Sequence, residues 1–176
     1  MNLHALAIPT FTQMLRALSG QLDKAAAFAG QQPSALIEAR LAPDMFPLSE
    51  QVRFACRQAA ETILRLTGQP LHERAEVDPT FEALKARIAE TLALLEATSE
   101  ADFEGAAERA IELDLPNGIV FDMTGEQFLR DWGLPQFYFH LTIAYAVMRQ
   151  AGVPLGKADL VPHALAYLRP GTMPGA

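Results

Sequence analysis

The sequence predicts an α-helical protein with four long helices and one embedded β-hairpin. Apolar residues recur at three- and four-residue steps over most of the chain, which is the period of a helix with one buried face. Between residues 110 and 123 the period changes to two, which predicts strands. Residues 132–157 contain a helix that is apolar almost all the way round, as is typical of a central or interfacial helix.

Proline and glycine set the boundaries of the first helix. We expect it to run from about Pro9 to Phe28, because proline suits a first helical turn. Residues 30–33 then interrupt the helix, and Ser34 is expected to cap a short helical turn through Arg40. The buried face of the first helix is predicted to comprise Phe11, Met14, Leu15, Leu18 and Leu22.

The second and third long helices follow a loop that contains two prolines. Residues 41–47 cannot be regular helix, because Pro43 and Pro47 each lack a backbone donor. The second helix is predicted over residues 48–67, with Gly68 as its C-terminal cap. Asp78 and Pro79 favour the start of the third helix. The predicted buried positions are Val52, Ala55, Cys56, Ala59, Ile63 and Leu66 in the second helix, and Phe81, Leu84, Ile88, Leu92 and Leu95 in the third.

A β-hairpin is predicted between the third and fourth long helices. Apolar residues alternate on both sides of Asn117-Gly118, a pair that favours hairpin turns because both residues tolerate positive φ. Residues 124–127 match a capping box that opens the fourth helix. Residues 133–135 should kink or split that helix, and Gly152 should end it. We expect residues 1–176 to form one domain, with 153–176 as a surface tail.

Composition excludes several classes of partner. The chain has 176 residues and a net charge of −7 without a cluster of Lys or Arg, which disfavours nucleic acid. It has neither an apolar run of about 20 residues for a bilayer nor a basic amphipathic helix for a membrane surface. With one cysteine, Cys56, and no secretory signal, the protein is expected to be cytoplasmic.

His140 is the main candidate for chemistry, because it lies in the middle of the apolar fourth helix. An imidazole there can be a metal ligand or a general base. More often, an imidazole in such a place is a core histidine whose ring nitrogens are paired with other buried polar groups. A metal site needs further ligands, and positions one turn away on the helix hold Gln136 and Ala144. The remaining histidines are poorly placed: His4, His72 and His163.

Four further residues are candidates for lining a pocket near His140. Asp44 lies between two prolines, where an aspartate more often caps the next turn. Gln51 is a polar residue on the second helix. Tyr138 and Tyr145 share one face of the fourth helix and could line a pocket or reach a second subunit. A mixed metal site of His140 with Asp44 or Glu61 is a further alternative.

Several segments resemble one uncharacterised bacterial family. These segments are residues 40–48, Gln51-Val52, Ala55-Cys56, 137–140, Ala144-Tyr145 and 152–157. Together they are similar to a domain of unknown function grouped with the DinB/YfiT-like superfamily, which includes metalloenzymes. The resemblance covers nearly the whole chain and implies an up-down four-helix bundle that is often dimeric.

The same resemblance implies an incomplete metal site. Metal-binding members carry one histidine on the second helix and a His-x-x-x-His pair on the last long helix. His140 matches the first residue of that pair, whereas its partner position is Ala144 and the second helix has no histidine. No metal is therefore expected, although a divalent cation held by His140 and carboxylates is kept as an alternative.

Three functional hypotheses remain open, and the sequence does not decide whether the protein is an enzyme. The first is a small-molecule-binding bundle with a pocket near His140, Asp44 and Gln51. The second is a non-catalytic homodimer that pairs through the apolar fourth helix. The third is a residual metalloenzyme that uses His140 with carboxylates.

Overall fold

The computed structural model describes residues 2–71 and 79–172. Over these residues the chain is mostly helical and contains one two-stranded antiparallel sheet, which confirms the predicted fold class. The up-down order of the helices stays a prediction. The helices are α1 (Leu3–Ala29), α2 (Pro33–Ile37), α3 (Leu48–Thr67), α4 (Phe81–Ala97), α5 (Gly125–Phe128), α6 (Leu134–Gln150) and α7 (Lys157–Leu160), and the strands are β1 (Ala110–Asp114) and β2 (Val120–Thr124).

Helix α1 begins six residues earlier than predicted, because Asn2 caps it. The Asn2 side chain accepts a hydrogen bond of 3.0 Å from the backbone N–H of Ala5, which satisfies one of the free donors of the first turn. Pro9 therefore lies inside the helix. The predicted buried face is confirmed, since Phe11, Met14, Leu15, Leu18 and Leu22 are all buried.

Helix α2 is shorter than predicted and begins two residues earlier, since a cap at Ser34 would have made residue 35 its first helical position. Pro33 occupies its first position, where the missing N–H costs nothing, so Ser34 lies within the helix instead of capping it. Residues 41–47 form a loop, as predicted. Helix α3 has the predicted bounds, and Gly68 ends it in the left-handed conformation at φ 71°.

Helix α4 begins at Phe81 with Thr80 as its N-cap, so the predicted start at Asp78-Pro79 is wrong. The Thr80 hydroxyl accepts from the backbone N–H of Ala83 at 3.1 Å, and Thr80 is also a good capping residue. Asp78 itself lies outside the described residues.

The hairpin is present, and its register pairs Ala110 with Thr124 and Asp114 with Val120. Its turn differs from the expected one, because Gly118 has a positive φ of 82° whereas Asn117 does not have a positive φ. The N–H of Gly118 bonds the carbonyl of Leu115 at 2.9 Å, which is the pattern of a three-residue loop. Ile111 and Leu113 of β1 point into the core.

The predicted capping box is confirmed at the start of α5, where Thr124 and Gln127 bond each other's backbone N–H. The predicted interruption is a π-helical turn, Leu129–Gly133, between α5 and α6. Gly133 lies directly against Thr62 of α3. This close approach brings α6 onto α3.

The core is enclosed by the four long helices α1, α3, α4 and α6. Helix α3 packs most extensively against α6 and also against α4, and α4 packs against α1. Cys56 is 1 % exposed within this core, as its position in the predicted stripe implied. Among residues 2–71 and 79–172, no helix combines the length and the apolar character that a bilayer crossing needs.

The segment after α6 begins as core and only later becomes surface. Val153 and Leu155 are buried, so the prediction of a surface tail from residue 153 is wrong for these two positions. Gln21 of α1 then donates from its amide to the carbonyl of Asp159 at 2.9 Å. This bond fixes α7 against α1.

Candidate functional site

His140 lies where α6 packs against α3. Its side chain is 9 % exposed. Its Nδ1 atom is 2.9 Å from Oε1 of Gln51, a buried residue in the first turns of α3. The structure therefore brings together two residues that sequence analysis had placed on separate helices.

The orientation of the Gln51 amide determines which nitrogen of His140 carries hydrogen. Nε2 of Gln51 donates to the carbonyl of Phe46 at 3.1 Å, so its Oε1 faces the imidazole as an acceptor. A neutral imidazole has one donor and one acceptor nitrogen. Nδ1 of His140 is therefore the donor, and Nε2 has the lone pair.

Nε2 of His140 is left for another partner. Within the described part of the chain no side chain or backbone group hydrogen-bonds it, and it is not among the fully enclosed polar atoms that lack a partner. It therefore retains a small contact with solvent. The arrangement provides a hydrogen-bond acceptor at the edge of a largely buried ring.

Three phenylalanines and His140 form a continuous aromatic row, in the order Phe46, Phe54, His140 and Phe139. Phe54 stacks on the imidazole with 4.8 Å between ring centroids and 24° between planes. Phe46 is 5.0 Å from Phe54, and Phe139 is 5.2 Å from His140. Phe46 and Phe139 are each 53 % exposed, whereas Phe54 is partly buried and His140 is buried, so the row is open at both ends.

The charges beside this row are paired. The guanidinium of Arg53 lies over the Phe54 ring at 4.4 Å from its centroid, and it forms an ion pair with Glu50. Burial lowers the pKa of His140 to about 4, with a smaller contribution from the positive charge of Arg53. The imidazole is consequently neutral at pH 7.

The other predicted pocket residues lie outside the Gln51–His140 pair. Asp44 is exposed in the loop before α3. Tyr138 is 40 % exposed, and its ring contacts Phe137 at 5.6 Å; burial of part of this side chain raises the pKa of its hydroxyl. Tyr145 is partly buried against the core. Their roles in ligand binding stay predictions.

Sequence reasoning missed the aromatic part of the site. Phe54 lies three residues after Gln51, a spacing that places both on one side of α3, and this spacing could have identified it. Phe139 adjoins His140 in sequence, but its ring contact depends on side-chain orientation. The contact between Phe46 and Phe54 depends on the path of the loop, for which no local signal exists.

The donor set around His140 does not fit the three-ligand metal site that the superfamily implies. One ring nitrogen is used by Gln51, and the position one turn further on α6 is the buried Ala144. Glu61 is held by Arg57 at 2.6 Å. Across residues 2–71 and 79–172, no three His, Cys, Asp or Glu side chains are grouped as metal ligands.

Comparison with known families agrees with this architecture. The model of a family described as a domain of unknown function, DUF1993, matches residues 3–161. The chain belongs to this family. No relative among curated proteins matches the chain.

A solved structure relates this chain to a DinB family member. The crystal structure of a DinB family member protein from Shewanella denitrificans is similar to this chain, with 38% sequence identity and a TM-score of 0.79. The match covers 99% of this chain and 94% of the other. The resemblance to a DinB-like domain of unknown function is therefore confirmed over nearly the whole chain.

Proposed function

We propose that this DUF1993 protein is a small-molecule-binding bundle whose ligand contacts Nε2 of His140. The observation that carries the proposal is the fixed hydrogen bond between Gln51 and His140, which leaves an unused acceptor beside exposed aromatic rings. Sites between the helices of bundles commonly combine apolar walls with a few polar groups that orient the ligand. Gln51, His140 and the aromatic row supply both features.

The low pKa of His140, about 4, supports binding over acid–base chemistry near neutral pH. A general base is most effective when its pKa is close to the working pH, and this imidazole is about three units below neutrality. Its neutral form still accepts hydrogen bonds. We assign no reaction to the site and propose that it contains no complete metal centre. The buried thiol of Cys56 supports our proposal of a cytoplasmic location, because a reducing compartment preserves thiols.

The decisive experiment is a high-resolution crystal structure of protein purified directly from cells, together with native mass spectrometry. We expect density for a small molecule within hydrogen-bond distance of His140 Nε2 and a matching excess mass. His140→Leu should lose that mass, whereas the control His163→Leu, in the C-terminal segment, should keep it. A dry ring surrounded only by protein atoms would contradict the proposal.

Elemental analysis of the same preparation addresses the metalloenzyme alternative. We expect clearly less than one equivalent of any transition metal. A stoichiometric metal that is lost in His140→Ala would instead support a site built from His140 and carboxylates.

A second candidate function is a homodimer formed through α6. Tyr138 and Phe139 of this helix are large side chains that are 40 % and 53 % exposed, and exposed apolar surface is typical of interaction sites. Light scattering at micromolar concentration tests this candidate. A monomer there would exclude a large permanent interface, and a dimer broken by Phe139→Glu would support it.

A further inference from the structure

We infer that the ligand of this site is a flat aromatic molecule that donates an N–H or O–H hydrogen bond to His140, and that Gln51 is the residue that imposes this preference. The inference rests on the proposed function, because it specifies the chemistry of the ligand at the same site.

The backbone carbonyl of Phe46 sets the orientation of the Gln51 amide. The carbonyl of Phe46 can only accept, so the Gln51 amide turns its NH₂ group toward it, at 3.1 Å. The amide oxygen is then the only polar atom that Gln51 can offer to His140. Nδ1 must donate to this oxygen at 2.9 Å, and Nε2 is left as an acceptor. A ligand that reaches Nε2 with another acceptor would be repelled, whereas a donor would be bound.

The charges around the ring support an uncharged ligand. His140 is faced by Gln51 and Phe54 of α3 and by its neighbour Phe139. Arg53, the cation whose charge acts on the ring, is already paired with Glu50. The ring itself remains neutral, since burial and Arg53 both disfavour the imidazolium. No unpaired charge in this group is available to neutralise a carboxylate or an ammonium.

The aromatic row supports a flat ligand. Phe46 and Phe139 expose about half of their surface at the two ends of the row, while Phe54 holds the imidazole by stacking. Aromatic rings prefer offset-stacked or edge-to-face neighbours at 4.5–7 Å. An aromatic ligand that donates to Nε2 can add one more ring to this row.

The first test measures the tautomer of His140 without a ligand. Nitrogen NMR of the side chain should show a protonated, pyrrole-type Nδ1 and an unprotonated, pyridine-type Nε2 at pH 7. A proton on Nε2 in the wild-type protein would overturn the inference, whatever the protein binds.

The second test compares two probes of nearly identical shape, indole and benzofuran, which differ in that an N–H group is replaced by oxygen. We expect indole to bind about tenfold more tightly, because a buried acceptor left without its partner loses on the order of one hydrogen bond. The pyridine-type signal of His140 should shift with indole. Equal binding of both probes at His140 would overturn the inference and leave the proposed site intact. If neither probe binds, the inference is overturned. The proposed function is then tested separately by the electron density beside His140.

The third test changes the specificity. Gln51→Glu places a carboxylate against Nδ1, which favours the imidazolium, in which both nitrogens donate. We expect this variant to lose the preference for indole over benzofuran and to bind quinoline, whose ring nitrogen accepts, more tightly than the wild type does. Unchanged preferences in a folded Gln51→Glu protein would show that Gln51 does not determine the specificity.

Discussion

Gln51 is buried, and both the nitrogen and the oxygen of its side-chain amide form hydrogen bonds. Its substitution should therefore lower the stability of the protein more than substitution of an exposed neighbour. Its loss leaves two polar groups, the carbonyl of Phe46 and Nδ1 of His140, without their partner. An orphaned buried polar group costs about 1–3 kcal/mol. The stability of Gln51 and His140 variants should therefore be coupled.

We predict that Gln51→Leu and His140→Leu each lower the free energy of unfolding by about 1–3 kcal/mol. The double variant should lose less than the sum of the two, because it removes both members of the bond. Urea denaturation of the four proteins measures this coupling. Strictly additive losses would mean that the bond contributes nothing to folding.

The lowered pKa of His140 predicts a loss of stability in acid. The unfolded chain binds this proton near the ordinary pKa of 6.5, whereas the folded protein binds it only near pH 4. Between these values the unfolded state holds more protons, so stability falls as the pH falls. From pH 7 to pH 4 the wild type should lose about 3 kcal/mol more than His140→Leu does.

The comparison with His140→Leu isolates this one group, because the carboxylates of the protein titrate in both proteins. Denaturant titrations at several pH values provide the measurement. Parallel pH profiles for the two proteins would show that the imidazole titrates normally in the folded state.

At the scale of whole elements, two glycines permit the close packing around the π-helical turn. A methyl group at Gly133 would lie 2.6 Å from the Thr62 hydroxyl, and one at Gly125 would lie 1.9 Å from the backbone carbonyl of Ala106. The Thr62 hydroxyl belongs to a side chain that a substitution can shorten. The carbonyl of Ala106 is part of the backbone and can move only if the backbone moves.

We predict that Gly133→Ala and Gly125→Ala both destabilise the protein, by about 1–3 kcal/mol for Gly133 and more for Gly125. Thr62→Ala should partly rescue Gly133→Ala and should not rescue Gly125→Ala. The control is Gly20→Ala in α1, where the added methyl meets no atom within 4 Å and a gain of up to about 1 kcal/mol is expected. Thermal unfolding measures all of these variants, and a neutral Gly125→Ala would contradict the packing.

The elements that were predicted well have strong local signals. Helix α3 is bounded by Pro47 and Gly68, and the hairpin is marked by alternating residues around Asn117-Gly118. The starts of α1 and α4 were misplaced because a proline suggested a boundary, while the actual caps, Asn2 and Thr80, have ordinary sequence surroundings.

The candidate site was predicted only in part, because some of its residues have a local sequence signal and their contacts do not. His140 could be identified because it is a single polar residue in an apolar helix, and Gln51 was named among the polar residues of the facing helix. Their hydrogen bond joins residues 89 positions apart, and the stacking of Phe54 depends on how α3 and α6 are rotated. Those contacts come from tertiary packing, which the periodicity of one helix does not specify.

At the scale of the whole molecule, the segment after α6 belongs to the folded unit. Val153 and Leu155 are buried in the common core, and Asp159 is bonded by Gln21 and Lys24 of α1. The segment that contains Asp159 is therefore packed against α1, the first helix of the chain.

We predict unequal effects of two C-terminal deletions. Removing residues 157–176 should cost about 1–3 kcal/mol, because it leaves the buried Gln21 amide without its partner. Removing residues 153–176 should cost several kcal/mol more, since burial of Val153 and Leu155 contributes about 1.5–3 kcal/mol for each. Urea denaturation compares them, with Val153→Ala as a milder substitute if the longer deletion does not fold. Equal stabilities would contradict a core role for these residues.

The π-helical turn Leu129–Gly133 also makes this stretch of chain tolerant of a change in length. A π turn accommodates one residue more than an α turn, so a lineage that lost the exposed Arg130 or Asp131 could revert to ordinary helical spacing there. Deletion of one residue between Gln136 and Phe139 would instead rotate the following side chains by about 100° around the helix axis. The imidazole would then face away from α3, so single-residue gaps among homologues should collect before α6 and avoid its first two turns.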